Sequence, residues 1–265
     1  MAGSGGWMFE PGSQGFPLVI AHRGAHSEFP ENTIAAFEAA LTLGADGVEM
    51  DVRLTGDGQV AVVHERRTDA GGGRRTPVGR LALARINDAR AAAGLSATVS
   101  TLPAVLDALP ATFLIDVELK VRGVEVDALV SRVVDAVRGS DRFETALVTS
   151  HNPLAIRRLR KTEPRIARGY IWAHSHPWPL RAHRFSLVPD AHWLAPSENS
   201  FDRGLLDRCH RLGRRVLAWD VDVPDPSWLA GIDAIVTDDP GRWVRLKAER
   251  TTAGDTSGPA DPSTA

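Results

Sequence analysis

Short apolar runs alternate with helical periods along most of the chain, and this alternation limits the possible folds more than any other feature. The runs fall at 18–22, 47–53, 112–119, 146–150, 166–172, 191–195, 216–219 and 234–237. Between them lie segments with helical signals. Ile34, Phe37, Ala40 and Leu41 recur at helical spacing and end at Gly44, and 102–109, 124–138 and 202–212 read the same way. Asn152-Pro153 and Asp239-Pro240 open two more helices. Strands that alternate with helices predict parallel pairing, and eight such units predict an α/β fold of the TIM (β/α)8 barrel type. Thr55-Gly56-Asp57-Gly58 is a turn signal, so 59–63 is expected to fold back on strand two as a hairpin arm. Residues 65–100 show no clear period, and Gly71-Gly72-Gly73 with flanking arginines marks an exposed loop. The expected organisation is a Gly/Ser-rich arm over 1–16, a barrel over 17–249 with a small insertion after strand 2 at about 59–100, and a disordered tail over 250–265.

Charged residues interrupt the apolar runs in a way that a buried sheet does not tolerate without a function. Residues i and i+2 of a strand share a face, so Glu49 and Asp51 in Val48-Glu49-Met50-Asp51-Val52 aim two carboxylates at one spot. Side-by-side buried carboxylates repel and resist ionisation. One divalent cation between them removes that penalty, and oxygen-only ligation favours Mg²⁺ or Ca²⁺. In Asp116-Val117-Glu118-Leu119-Lys120 the pattern recurs, which makes Glu118 a candidate third ligand and Lys120 a candidate anion binder. Asp116 lies deeper in its strand and reads as structural. His22 and Arg23 close the first run, His64 closes the hairpin arm, and Trp219 closes the seventh strand. In a barrel of this type, the C-terminal ends of the strands form the active face.

A net charge of −2 gives no electrostatic footprint for nucleic acid or for an anionic membrane. The single cysteine, Cys209, rules out an intrachain disulfide and reads as a buried helix thiol. Residues 1–17 lack the basic and apolar regions of a secretory signal, and no apolar run reaches the roughly 20 residues that span a bilayer. The expected localisation is cytoplasmic, with no nucleic-acid partner and no stable membrane insertion.

These motifs together resemble the glycerophosphodiester phosphodiesterase family. The matching residues are His22-Arg23-Gly24, Pro30-Glu31-Asn32-Thr33, Gly44-Ala45-Asp46, Glu49-Met50-Asp51-Val52, Thr55-Gly56-Asp57-Gly58 and His64. Thr101-Leu102, Glu118-Leu119-Lys120, Trp219 and Gly231-Ile232-Asp233-Ala234-Ile235-Val236-Thr237-Asp238 continue the match over about 18–247. The resemblance implies a TIM barrel and a divalent metal at Glu49, Asp51 and Glu118. It also implies His22 and His64 as acid and base, Arg23 and Lys120 as phosphate binders, and Trp219 in the substrate pocket. Three places depart from the family pattern: Glu65-Arg66, Ser150-His151 and Asp220-Val221. They bear on the pocket wall and hence on the alcohol of the substrate.

The implied reaction is metal-dependent hydrolysis of a small-molecule phosphodiester to glycerol 3-phosphate and an alcohol. One histidine deprotonates a glycerol hydroxyl that attacks phosphorus and the other protonates the leaving alcohol, with a cyclic phosphate as the family's intermediate. The expected order is His22 as first base and His64 as acid. Two alternatives share the barrel: a phospholipase-D-like enzyme acting on lysophospholipids, and a non-catalytic binding barrel.

Overall fold

The computed structural model describes residues 16–69, 73, 75–121, 123–172, 191–197, 203–219, 221, 229 and 231–255. Eight parallel strands close a barrel: β1 Leu18–Ala21, β2 Gly47–Leu54, β6 Leu114–Leu119, β7 Ala146–Ser150, β8 Ala167–Trp172, β9 Trp193–Pro196, β10 Arg215–Trp219 and β11 Ala234–Thr237. Closure is the pairing of β1 with both β2 and β11. Helices α1 Ile34–Leu43, α3 Leu102–Ala108, α4 Val126–Gly139, α5 Pro153–Thr162, α6 Arg203–Arg211 and α7 Pro240–Asp255 alternate with the strands. Strand and helix bounds agree with the sequence expectation to within two residues, except in the insertion and at the last helix. Cys209 is fully buried on α6. No helix among the described residues is long and apolar enough to cross a membrane.

Local sequence sets the element ends. Thr33 caps α1, its Oγ1 accepting from the Ala36 amide at 3.2 Å, and Gly44 at φ 88° terminates it. Asn152 caps α5, with Pro153 in the first turn.

The insertion has more order than its sequence suggests. β3 Val60–Val62 pairs antiparallel with β2, as the turn signal predicts. Beyond it, β4 Arg67–Asp69 and β5 Arg75–Pro77 form a separate hairpin, a 3-10 turn covers Val78–Arg80, and α2 spans Leu83–Ala92. Only Ile86 and Ala89 of α2 are buried, too few to print a helical stripe. The segment folds on its own small core of Ala61, Val63, Val78, Ile86 and Val99.

A second difference lies at the C-terminal end. Residues 250–255, expected to belong to an irregular tail, continue α7. Arg250 and Thr251 of this stretch are exposed, and Thr251 Oγ1 donates to the Lys247 carbonyl one turn back. Residues 1–15 of the expected arm, 256–265 of the expected tail, Gly71 and Gly72 of the expected loop, and Asp220 lie outside the described residues.

Strand alternation decides which residues reach the lumen. Val48, Met50 and Val52 of β2 pack outward against α1, α3 and α4. Leu18, Ile20, Leu114, Leu147, Trp193, Leu217 and Ala234 fill the lumen. Each inward series turns polar towards the C-terminal end of its strand: Gly47-Glu49-Asp51, Leu114-Asp116-Glu118 and Leu147-Thr149. At Gly47 a Cβ would lie 2.5 Å from the Leu114 carbonyl oxygen, so glycine lets β2 and β6 approach below the acids.

Candidate active site

The register of β2 and β6 pairs Asp51 with Glu118 and Glu49 with Asp116, stacking four carboxyl groups in the barrel mouth. All four are buried, Asp51 completely. One oxygen each from Glu49, Asp51 and Glu118 lies within 4.8 Å of the other two. Burial, followed by repulsion from Asp51 and Glu118, pushes the Glu49 carboxyl well above its ordinary range. Burial also raises Glu118, against the pull of Lys120. Asp51 behaves differently: burial works to raise it, but Lys120, Arg23 and the Asn32 amide outweigh this and hold it below its ordinary value.

Each acid has a defined neighbourhood. Asn32 Nδ2 donates to Asp51 Oδ2 and Asn32 Oδ1 accepts from the Asp51 amide, both at 3.0 Å. Lys120 Nζ lies 3.0 Å from Asp51 Oδ1 and 2.7 Å from Glu118 Oε1. Arg23 Nε lies 3.1 Å from Asp51 Oδ2, and Arg23 Nη1 donates to Glu31 at 2.9 Å. The Arg23 amide donates to Glu49 Oε2 at 3.1 Å. Glu49 Oε1 is buried with no hydrogen-bond donor among the described residues. That orphaned oxygen, facing two further buried carboxylates, is the donor set of a hard divalent cation and fits one.

The turn after β1 presents His22 and Arg23 through an unusual backbone. Arg23 and Gly24 have φ of 52° and 84°, and Asn32 has φ of 57°. At Gly24 a Cβ would meet the Ala36 backbone at 2.6 Å, so the turn packs directly on α1. Left-handed residues at Arg23 and Asn32 store strain where both side chains reach Asp51.

The two expected histidines occupy different walls. His22 Nδ1 lies 2.6 Å from Asp238 Oδ1, and its Nε2 lies 3.9 Å from Glu49 Oε2. His26 Nε2 lies 2.9 Å from the same Asp238 oxygen. Hydrogen bonding from His22 holds Asp238 far below the usual carboxylate range. A carboxylate accepts only, so His22 Nδ1 and His26 Nε2 both carry the hydrogen. His64 follows β3 and lines a recess of about 90 Å³ with Glu31, Asn32 and Glu65. Burial lowers its pKa, with Asp51 opposing and Arg23 and Lys120 adding to the shift.

Trp219 ends β10, donates from Nε1 to the Ala195 carbonyl at 3.0 Å and meets His151 edge to face at 5.7 Å. It shares a small cavity of about 30 Å³ with His22, Glu49, Asp116 and Glu118. All eight residues expected from the sequence therefore surround one barrel mouth. Four others complete it: Asp238, His26, Asn32 and His151, whose Nε2 lies 3.9 Å from Glu118 Oε1. Asp238 and Asn32 both belong to motifs that carry the family resemblance, whereas nothing in the pattern marks His26. Asp116 stays beneath the site, accepts from Thr149 Oγ1 at 2.8 Å and is pushed up to about 8 by burial.

The model of the glycerophosphoryl diester phosphodiesterase family matches residues 22–242. A glycerophosphodiester phosphodiesterase of Caldanaerobacter subterraneus subsp. tengcongensis is 31% identical over 242 residues, which cover 86% of this chain and 97% of that protein. Among solved structures, an Oleispira antarctica phosphodiesterase in complex with the product sn-glycerol-3-phosphate aligns with a TM-score of 0.71 and 25% identity. That alignment covers 88% of this chain and 97% of the other. A glycerophosphodiester phosphodiesterase of Agrobacterium tumefaciens shares the fold with a TM-score of 0.68 at 24% identity, covering 86% and 99% of the two chains.

Proposed function

The chain belongs to the glycerophosphoryl diester phosphodiesterase family, and from that premise we propose that it hydrolyses glycerophosphodiesters to glycerol 3-phosphate and an alcohol by acid–base catalysis between His22 and His64. It is an enzyme of the phosphoric diester hydrolase class. The observation that carries the mechanism is the arrangement of the mouth: three buried carboxylates, two cations and two imidazoles on separate walls.

Glu49, Asp51 and Glu118 would hold one divalent cation, Mg²⁺ or Ca²⁺, which supplies Lewis-acid stabilisation of charge on the phosphoryl oxygens when bound. Arg23 binds phosphate through the part of its guanidinium not engaged by Asp51 and Glu31, since its Nη2 has no partner among the described residues. Lys120 adds a point charge from the β6 side. Asp238 fixes the His22 ring with hydrogen at Nδ1 and Nε2 towards the acids, and Trp219 walls the pocket beside it. His64 has a depressed pKa, which keeps its imidazole neutral and able to take the proton of the attacking hydroxyl. His22 then delivers a proton to the leaving alcohol. Water, deprotonated by the now neutral His22, opens the resulting cyclic phosphate while His64 returns its proton to the glycerol oxygen, which gives glycerol 3-phosphate. This order reverses the sequence expectation, which had His22 as first base, and the reason is the burial of His64 beside Arg23 and Lys120. The cytoplasm, the expected location, suits a substrate that is a small soluble diester.

A substrate panel read through a coupled glycerol 3-phosphate assay, with and without EDTA, tests the reading. Release of glycerol 3-phosphate that stops on chelation is expected. Turnover of lysophospholipids but not of glycerophosphodiesters would favour the phospholipase-D-like alternative, and no turnover of either would favour a binding barrel. Asn32→Ala is expected to weaken divalent-cation binding by roughly 10–100-fold, the usual effect of losing an outer-shell partner of a ligand. Calorimetric titration checks this, and an unchanged Kd would detach Asn32 from the cation site.

A further inference from the structure

A cleft of about 1010 Å³ opens beside Glu118 and Lys120, between the β4–β5 hairpin with its 3-10 turn and the loops that follow β6 and β7. Small-ligand sites occupy roughly 300–1,000 Å³, so a glycerol phosphate moiety at the catalytic mouth leaves most of this space unfilled. We infer that the cleft seats the leaving alcohol and selects diesters whose alcohol carries a further phosphate group. The inference rests on the phosphodiesterase reading for its catalytic consequence.

Charge carries the assignment. Four arginines line the cleft: Arg53, Arg66, Arg67 and Arg80. Arg53 spends its donors on backbone carbonyls, with Nε and Nη2 on His64 and Nη1 on Lys120, so it makes no direct carboxylate pair, although Asp51, Glu118 and Glu125 lie near enough to favour its charge. Arg67 Nη1 donates to the Arg75 carbonyl. Arg66 and Arg80 are exposed, and no hydrogen bond or ion pair engages either side chain among the described residues. Two carboxylates face this set, Glu118 and Glu125, and Glu118 is already tied to Lys120 at 2.7 Å. A chain of net charge −2 thus concentrates guanidinium groups in one groove next to the reacting centre.

Clustered like charges repel, and the groove focuses their field on anything that enters. Guanidinium forks match phosphate oxygens bidentately. A quaternary ammonium alcohol needs aromatic faces, and no Phe, Tyr or Trp is among the described lining residues. Arg66 and Arg80 stand on the insertion, and neither forms an ion pair with the acids of the mouth among the described residues. They therefore read the alcohol and leave the glycerol phosphate half to Arg23 and Lys120.

The test uses the full-length enzyme and two matched substrates, glycerophosphoinositol and its derivative with one phosphate on the inositol. The phosphorylated diester should show kcat/KM roughly tenfold higher, about 1.4 kcal/mol, with the gain in KM. High salt should erode the gain, because exposed charges are screened. The double variant R66Q/R80Q should abolish the preference while leaving kcat on glycerophosphoinositol unchanged. Titration calorimetry with inositol 4-phosphate gives a readout without turnover, and binding should weaken about tenfold in R66Q/R80Q. Equal kcat/KM for the two substrates, or equal binding to both proteins, would overturn the cleft assignment. Absence of cleavage with binding that still depends on Arg66 and Arg80 would sink the phosphodiesterase reading and leave the assignment standing.

Discussion

Glu49→Gln is expected to lose cation binding and activity together, at least 10²-fold, yet to leave the cation-free protein as stable as before or more so. The two effects share one cause. Glu49 is buried against Asp51 and Glu118, and its pKa is raised by burial first and by those two carboxylates next. A raised carboxyl pKa means that the folded state holds a proton the unfolded chain has released. The stability that this proton represents is complete below the unfolded value of about 4.5 and is lost as pH rises towards the folded value. Glu118, raised by burial, and Asp116, raised to about 8, add the same sign. In the cation-free wild type these carboxyls contribute a loss of stability from about pH 4.5 upwards, which the lowered His64 and His192 oppose up to about pH 6.5. Glu49→Gln should remove the Glu49 share of that loss relative to the wild type, because an amide does not ionise. Cation addition reverses the ranking. A ligand at 100 times its Kd stabilises the folded state by about 2.7 kcal/mol, and the wild type should gain a matching shift in Tm that the variant lacks. Thermal melts across pH, with and without Mg²⁺ or Ca²⁺, check both halves. An equal Tm response to cation in the two proteins would remove Glu49 from the ligand set. An outer-shell partner already accounts for 10–100-fold, which is why a direct ligand is set at 10² or more.

How much of this site the sequence reveals depends on the distance over which each contact acts. Glu49 and Asp51 are legible because a period of two fixes their common face within one strand, and the same holds for Glu118 and Lys120 beyond β6. The alternation that puts Val48 and Met50 outward is equally local. Contacts that require the barrel to close are not legible. Asp238 sits 216 residues from His22 in the chain, and only the pairing of β1 with β11 brings the two together. His26 belongs to a turn without period, and its role follows entirely from sharing that carboxylate. The tight approach of Gly24 to Ala36 fixes where Arg23 points, and no composition rule contains it. In the insertion, strands of three residues and a helix with two buried side chains carry too little apolar pattern to register. The arginine-lined cleft escapes for a related reason. Its cations come from β2, the hairpin with the residue before it, and the 3-10 turn, and only folding gathers them around one groove.

Replacement of either imidazole by alanine is expected to lower kcat/KM on a natural diester by about 10²–10⁴-fold, the span of a lost acid–base group. The double variant should fall by much less than the product of the two, because both groups serve one transition state. The leaving group separates their roles. An alcohol of low pKa such as p-nitrophenol departs without protonation, so a p-nitrophenyl diester should rescue the variant that lacks the acid and not the one that lacks the base. Rescue of His22→Ala is expected, with His64→Ala remaining impaired on both substrates. The pH profile of kcat/KM should be bell-shaped and report two macroscopic ionisations of the free enzyme. Its acidic limb belongs to the base. Because burial lowers the His64 pKa, with Arg23 and Lys120 reinforcing the shift, that limb should lie below the ordinary histidine value of about 6.5, and activity should persist into mildly acidic solution before it falls. Loss of the acidic limb in His64→Ala would tie it to that ring. Rescue of His64→Ala by the activated substrate would restore the order with His22 as base, and rescue of neither would assign the proton transfers to groups other than these two imidazoles.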